Sequence, residues 1–418
     1  MNLREIAQTI AAAGGRLYLV GGGVRDQIRG HSAKDLDFCV TGLSTEQFWT
    51  HFPNAFLAGR AFPVFRLPVD GHVAEFALAR TEHKISVGHR GFQINASEGV
   101  TIEQDLERRD LTINALALDV LTNEVIDPFG GQNDIHNRVV RAVSDAFAED
   151  PLRVYRAARF AATLDFHIEP RTTALMRSLR DELYALSAER VFEEVKKALG
   201  SARPSVFFMA LKTAGVLDVH FGEIASLVGV LQPEKYHPEG DAFEHTMQVL
   251  DASARLTERV EVRFAALVHD VGKGVTPREK WPSHHGHEAL GVPLARRLCQ
   301  RLKLPSKWTE AATFATAEHM KMHILHRMKP VKVVDLLMAA QRNPLGVEGL
   351  AVVGMSDDRG RNSPNAPSPN AASLDALWRV IQAVNGAAVT TDAIGKQFGE
   401  ELRKKRAAAV QAWRNREK

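Results

Sequence analysis

Apolar positions recur at two different periods along this chain, and the change falls near residue 150. Over residues 1 to about 140, short apolar runs at Arg16 to Val20, Leu36 to Val40, Val64 to Leu67 and Val73 to Ala79 read as strands between helical stretches. From Asp150 onward the three-to-four-residue period of amphipathic helices takes over, with few β-branched runs. Asp150-Pro151 marks the start, with a capping carboxylate followed by a proline suited to a first helical position. The pattern predicts an α+β head followed by an all-helical remainder. Asn362 to Asn370, rich in proline, serine and asparagine, reads as a linker before a last helical segment, and no fixed-period repeat is present.

Bulk properties narrow the classes. With 418 residues the chain exceeds what one core organises, so two to four domains are expected. Apolar content of 45% and charged content of 25% are those of a globular protein and exclude a disordered or fibrous one. A net charge of +3 permits a polyanionic partner without requiring one. From Arg361 to the end, ten Lys/Arg stand against five Asp/Glu, with Arg403-Lys404-Lys405-Arg406 adjacent. That run is read either as a solvated helix face or as a contact for an RNA backbone. Cys39 and Cys299 are too few for a disulfide framework or a cysteine zinc site, and a reducing cytoplasm is expected. No apolar stretch reaches the ~20 residues of a spanning helix, so no membrane partner is expected.

The chemistry concentrates in two places. In the head, Asp35 and Asp37 follow the glycine turn Val20-Gly21-Gly22-Gly23-Val24-Arg25-Asp26 by about a dozen residues. Side chains two apart on a strand share a face, so both carboxylates can grip divalent cations while the glycines admit a triphosphate to the backbone. Gly22 would approach the triphosphate through its backbone and Arg25 through charge-assisted bonds. Glu75, on a later strand, is a candidate third carboxylate or an exposed strand charge. At Asp150 to Arg159, Asp150 and Arg153 share a helical face that Arg156 and Arg159 continue. A carboxylate beside a guanidinium matches the amino-donor and ring-acceptor edges of cytosine and adenine, and opposes the inverted edges of guanine and uracil.

Farther on, His245 precedes the run Leu267-Val268-His269-Asp270-Val271-Gly272-Lys273, followed by His284-His285-Gly286-His287, His319 and Asp357. An adjacent His-Asp with further His and Asp from separate helices is the ligand set of HD-type metal phosphohydrolases. Imidazole with carboxylate suits Ni²⁺ or another divalent transition metal as well as Mg²⁺. The candidate ligands are His245, His269, Asp270, His287, His319 and Asp357. His284 and His285 are read as phosphate-binding or surface residues.

Together, Gly-Gly-Gly-Val-Arg-Asp, Asp-Leu-Asp, Arg108-Arg109-Asp110, Asp127-Pro128-Phe129-Gly130-Gly131 and Glu149-Asp150-Pro151-Leu152-Arg153 resemble the class II tRNA nucleotidyltransferases and the bacterial poly(A) polymerases. With the histidine zone the chain is most similar to the bacterial multifunctional CCA type, in which an HD domain follows the polymerase. The resemblance implies a polymerase β-like head with a mixed sheet at 1–140, a helical neck binding nucleotide and tRNA at 141–225, an HD domain at 226–360, and a linker with a basic tail at 361–418. It implies addition of C, C and A to tRNA from CTP and ATP with Mg²⁺ held by Asp35 and Asp37, nucleotide contact by Arg109, hinge support from Asp110, and a mobile loop at Thr81 to Asp105. It further implies hydrolysis of cyclic or terminal phosphoesters, a grip on the tRNA acceptor arm by shape, and a monomer or weak homodimer. Open alternatives are poly(A) synthesis, partial CC or A addition, and an RNA-repair phosphohydrolase with a silent head.

Overall fold

A computed structural model describes residues 1–32, 36–58, 64–84, 92–95, 98–361, 365–389 and 395–417. The chain forms two compact units, Met1–Leu186 and Ser187–Lys418.

The first unit is built on a seven-stranded mixed sheet. Its strands are β1 (Arg16–Val20), β2 (Asp37–Thr41), β3 (Phe56–Ala58), β4 (Val64–Val69), β5 (His72–Leu78), then, past the hairpin β6 (Thr81–Lys84) and β7 (Phe92–Asn95), β8 (Ala117–Asp119) and β9 (Val125–Ile126). They order as β3-β4-β5-β2-β1-β8-β9, with β2 parallel to β5 and antiparallel to β1. Alternation along β2 separates two environments. Phe38 turns to a cluster of buried aromatics, stacked on Phe76 at 5.0 Å with Phe48 and Phe65 at 4.4 Å beyond. Burying each such ring stabilises the sheet by roughly 1.5–3 kcal/mol. Cys39, on the same side as Asp37, joins Tyr18, Val20, Ile102, Leu106 and Ala117 in a second core.

Around this sheet lie α1 (Leu3–Ala12), α2 (Gly22–Ile28), α3 (Thr45–His51), α4 (Ile102–Glu107) and α5 (Gly131–His136). Capping boxes at Asn2, Ser44 and Thr101 fix the starts of α1, α3 and α4. Next come α6 (Leu152–Leu164) and α7 (Pro170–Ser178), where β10 (Val139–Val140) and β11 (His167–Ile168) form a short parallel pair. That pair is a small exception to the all-helical expectation past Asp150.

The second unit is helical among its described residues: α8 (Ala188–Leu199), α9 (Ser205–Ala214), α10 (Leu217–Ala225), α11 (Ala242–Leu256), α12 (Val260–Val268), α13 (His287–Arg301), α14 (Ser306–Glu318), α15 (Met320–His323), α16 (Pro330–Arg342), α17 (Gly346–Arg359), α18 (Pro369–Ala383) and α19 (Lys396–Arg416). The sequence reading needs correction at the C-terminal end. Pro369 and Asn370, read as linker, begin α18, because Pro fits a first helical turn. Leu374, Leu377, Ile381 and Val410 enter one buried core with Val333, Leu337, Leu350 and Val353, so α18 and α19 complete this unit. The basic run is committed within it: Arg403 pairs with Asp335 at 2.6 Å, Lys404 with Glu401 at 2.9 Å, and Arg406 donates to the Val384 carbonyl at 3.0 Å. Residues 362–364 of the expected linker lie outside the described residues, as do 85–91 and 96–97 of the expected mobile loop. No helix among the described residues is long and apolar enough to cross a membrane.

Candidate active sites: a carboxylate cleft and a histidine cluster

In the antiparallel register Val20 faces Asp37, so the chain turns out of β1 beside that carboxylate. The turn needs glycine. Gly21 has φ 68° and ψ −130°, closed to other residues, and a Cβ there would stand 3.2 Å from Arg109 Nη1. The parallel register of β2 and β5 puts Glu75 opposite Asp37. Both line a cavity of about 180 Å³ with Arg80, Asp105, Arg108 and Arg109. Asp35 lies outside the described residues. Glu75 is half-exposed and accepts two hydrogen bonds from Arg66, at 2.9 and 2.6 Å.

Asp105, which sequence reasoning missed, holds the cationic wall of this cleft. It is buried and accepts from Arg108 Nη2 at 2.6 Å, Arg109 Nη2 at 3.0 Å and the Arg80 N–H at 3.3 Å. Burial opposes its charge, but the Arg109 and Arg108 guanidiniums outweigh it and hold the carboxyl below its ordinary value. An acid three and four residues ahead of two arginines was the available signal.

Behind the cleft runs a buried relay. Arg25 donates to Asn114 Oδ1 at 2.8 Å and through Nε to Asp26 at 2.9 Å; Asn114 Nδ2 donates to Asp110 at 3.3 Å; Arg156 Nε donates to the other Asp110 oxygen at 2.7 Å. The charge of Arg156 offsets burial and keeps Asp110 ionised below its usual range. Gly22 opens α2, whereas Arg25 is bound into the relay and only 8% exposed. Asp150 accepts the Leu152 N–H at 3.0 Å, and α6 starts at Leu152 with Pro151 as its cap, one residue later than expected. Arg153 donates to the carbonyls of Ala146 and Arg108, both at 2.7 Å. Arg159 lies over the Phe160 ring at 3.7 Å, with Arg25 and Arg156 near the same ring at 5.3 and 5.6 Å. The structure thus gathers Asp37, Glu75 and Arg109 at the cleft and ties Arg25, Arg153 and Arg156 to internal acceptors.

In the helical unit, His245 on α11, His269 and Asp270 after α12, His287 at the start of α13, His319 after α14 and Asp357 on α17 converge. Glycine again makes the approach possible. A Cβ on Gly272 would fall 1.9 Å from the His287 carbonyl oxygen, so only glycine lets the turn after Asp270 lie against α13. Backbone carbonyls then fix the imidazoles. His269 Nδ1 donates to Ala266 at 2.7 Å, His287 to His284 at 3.0 Å, His319 to Thr316 at 3.0 Å and His245 to Gly360 at 3.1 Å. A carbonyl accepts only, so each Nδ1 carries the hydrogen and each neutral Nε2 presents a lone pair inward.

Those lone pairs meet carboxylates and one another. His287 Nε2 and His319 Nε2 are 3.1 Å apart, at 3.0 and 3.3 Å from Asp270 Oδ1, which has no aligned hydrogen bond. His269 Nε2 is likewise buried without a hydrogen-bond partner. His245 Nε2 is 3.1 Å from Asp357 Oδ1. Three compact groups of described residues have ligand atoms within 4.8 Å of one another: His245 with His269 and Asp357, Asp270 with His287 and His319, and His237 with Glu239 and His245. Converging nitrogen lone pairs and anionic oxygens repel unless a cation lies among them, so the donor set fits a divalent metal. Burial resists ionisation of Asp270, but the charge of Lys273 holds it well below the usual carboxylate range.

Sequence reasoning overlooked several neighbours. Glu239 accepts from His245 Nδ1 at 2.8 Å and from His237 at 2.9 Å, and His323 meets Asp357 Oδ2 at 2.7 Å. His323 stands four residues after His319, a helical spacing that could have flagged it. His284 is buried, bonded to Thr276 at 2.6 Å and the Leu231 carbonyl at 2.8 Å, which corrects its reading as a phosphate or surface residue; His285 is exposed.

Comparison with known proteins adds three family matches in chain order. Residues 17–141 match the poly A polymerase head domain, 165–227 the probable RNA and SrmB-binding site of polymerase A, and 242–342 the HD domain. A CCA-adding enzyme of Bacillus stearothermophilus, solved in complex with CTP, is 25% identical with a TM-score of 0.65, over 98% of this chain and 92% of that one. Two further structures share the fold: a CCA-adding enzyme in an apo form, at 20% identity and TM-score 0.66 over 98% and 89% of the two chains, and a tRNA-processing enzyme with CTP, at 22% and 0.62 over 97% and 99%. With its polymerase head, RNA-binding segment and HD domain in this order, the chain belongs to the class II tRNA nucleotidyltransferase and poly(A) polymerase family, in the form that carries an HD domain.

Proposed function

We propose that this chain adds C, C and A to the 3′ end of tRNA from CTP and ATP without a nucleic-acid template, and that its HD domain hydrolyses phosphoesters. The observation that carries the head reading is the register of Asp37 against Glu75, in a cleft also lined by the pair of arginines braced by Asp105. Hard carboxylate oxygens suit Mg²⁺, with Asp37 and Asp35 as its ligands. When bound, Mg²⁺ activates the primer hydroxyl and neutralises the leaving pyrophosphate. Glu75 stands near the attacking hydroxyl, Gly22 admits the triphosphate, and Arg109 offsets its charge. Arg25, Arg156 and Arg159 frame the nucleotide through the relay and Phe160. Asp150 and Arg153 read the base edge, which requires the Arg153 guanidinium to exchange its two carbonyl acceptors for the base.

In the HD domain His245, His269, Asp270, His287, His319 and Asp357 would hold Ni²⁺ or another divalent transition metal, which lowers the pKa of water to supply a nucleophile. Asp270 and His269 are its reacting core, and the fitting substrates are 2′,3′-cyclic, 2′- and other terminal phosphoesters. We read the division of labour as head at 1–140, nucleotide and tRNA grip at 141–225, hydrolysis at 226–360 and support from 361–418. The protein is expected to work in the cytoplasm as a monomer or weak homodimer on the acceptor arm of tRNA. Paired substitutions test the two-site reading. Asp37→Ala is expected to lower nucleotide addition by about a thousandfold, the loss of several kcal/mol of metal-borne stabilisation, and to spare hydrolysis of 2′,3′-cyclic AMP. Asp270→Ala should do the reverse; joint loss in either variant, with the fold intact, contradicts two separate centres.

A further inference from the structure

The histidine cluster contains an arginine that its ligand set does not require. Arg361 follows α17, four residues after Asp357. Its Nη2 lies 3.3 Å from Asp357 Oδ1 and 3.4 Å from His323 Nε2, and its Nε is buried with no hydrogen-bond partner. No other hydrogen bond joins its guanidinium to a described residue.

The contrast with Arg263 separates a structural guanidinium from an available one. Arg263, 2% exposed, places Nε on the Thr257 carbonyl at 2.7 Å, Nη1 on Leu199 and Ser201 at 2.7 and 2.9 Å, and Nη2 on Ala254 at 3.1 Å. Every nitrogen there meets an acceptor, as a packing role demands. Among the described residues Arg361 bonds only to Asp357 and His323, both through one nitrogen; it keeps a quarter of its side chain exposed and has the rest of its planar fork to offer an incoming acceptor. Asp357 does not need it as its sole partner, since His323 already meets Asp357 Oδ2 at 2.7 Å. A planar fork beside a metal-type cluster matches a tetrahedral oxyanion.

We infer that Arg361 is the phosphate anchor of the HD site, holding the non-bridging oxygens of a terminal phosphoester against the His-Asp cluster. This rests on the phosphohydrolase reading above. It makes Arg361 a determinant of substrate binding, with a planar donor set that lysine reproduces only as a point charge.

The test uses the full chain as wild type, Arg361→Gln and Arg361→Lys. Hydrolysis of 2′,3′-cyclic AMP, titration with inorganic phosphate, bound-metal content and tRNA nucleotide addition are measured on each. For Arg361→Gln, KM and the dissociation constant of phosphate should both rise about tenfold or more, the scale of a lost charge-assisted pair, with metal content and nucleotide addition unchanged. Arg361→Lys should recover part of the loss. Unchanged KM and phosphate affinity in Arg361→Gln overturn the inference, as does metal loss at constant KM, which would make Arg361 a brace for Asp357. A wild-type chain that hydrolyses no phosphoester and binds no phosphate overturns the phosphohydrolase reading itself.

Discussion

At Asp105, an acid three and four residues ahead of two arginines, one buried carboxylate holds the arginines that line a cleft with Asp37 and Glu75. Asp105→Asn removes the charge and leaves two guanidiniums without it, which should cost the head about 3–5 kcal/mol. Amide hydrogen exchange of the β2 and α4 peptides would read that loss, and unchanged protection would show that the pair is not what holds the wall. Acid sensitivity follows with a definite sign. Asp105 and Asp110 both titrate below their ordinary 3.8 in the folded chain, so their stabilisation is present above that value and disappears as pH falls through the lower folded values. The head should lose protection below about pH 4, and Asp105→Asn should flatten that acid limb. The gathering of side chains was legible in the sequence where types were sufficient, since His245, His269 and Asp270 do converge. It was not legible where a distant partner decides, since neither the Arg153 contact with the Arg108 carbonyl nor the Glu239 contact with His245 has a local signature.

Strand and helix periods located the elements near the head site: β4 and β5 alternate because each buries one face, whereas β1 and β2, buried on both faces, read as short continuous apolar runs. The short β3, β8 and β9 carry too few residues for a period to register. Packing between elements was also hidden: the close approach of the turn after Asp270 to α13 depends on Gly272 lacking a side chain. Gly272→Ala should force those backbones apart, destabilise the helical unit by about 1–3 kcal/mol and remove phosphoester hydrolysis while nucleotide addition persists. Steady-state assays of both activities on the purified variant check this, and retained hydrolysis would count against the glycine contact. The same logic applies to α19. Val410 is fully buried there, so Val410→Asp should destabilise the helical unit by several kcal/mol, read as a fall in its thermal unfolding temperature.

At the scale of the whole molecule, the change of period near residue 150 separated a mixed sheet from helices, and the order of motifs along the chain gave the family. What the pattern could not show is that the segments beyond the proline-rich stretch belong to a packed core, because Leu374, Leu377, Ile381 and Val410 gain their meaning only from Leu337 and Leu350. Nor could charge alone decide the basic run, whose members are paired within the unit. Two chemically distinct donor sets, carboxylate oxygens in one unit and imidazole nitrogens with carboxylates in the other, are what the proposal of a 3′-end builder and a phosphoester hydrolase on one chain rests on. The most direct measurement of the first role supplies the purified protein and Mg²⁺ with tRNA lacking its terminal CCA, and with CTP, ATP, GTP, UTP or CTP with ATP, resolving products at single-nucleotide length. Two residues added from CTP alone, three from CTP with ATP, and none from GTP or UTP is the expected result; long A tails, or no incorporation of C, would contradict CCA addition.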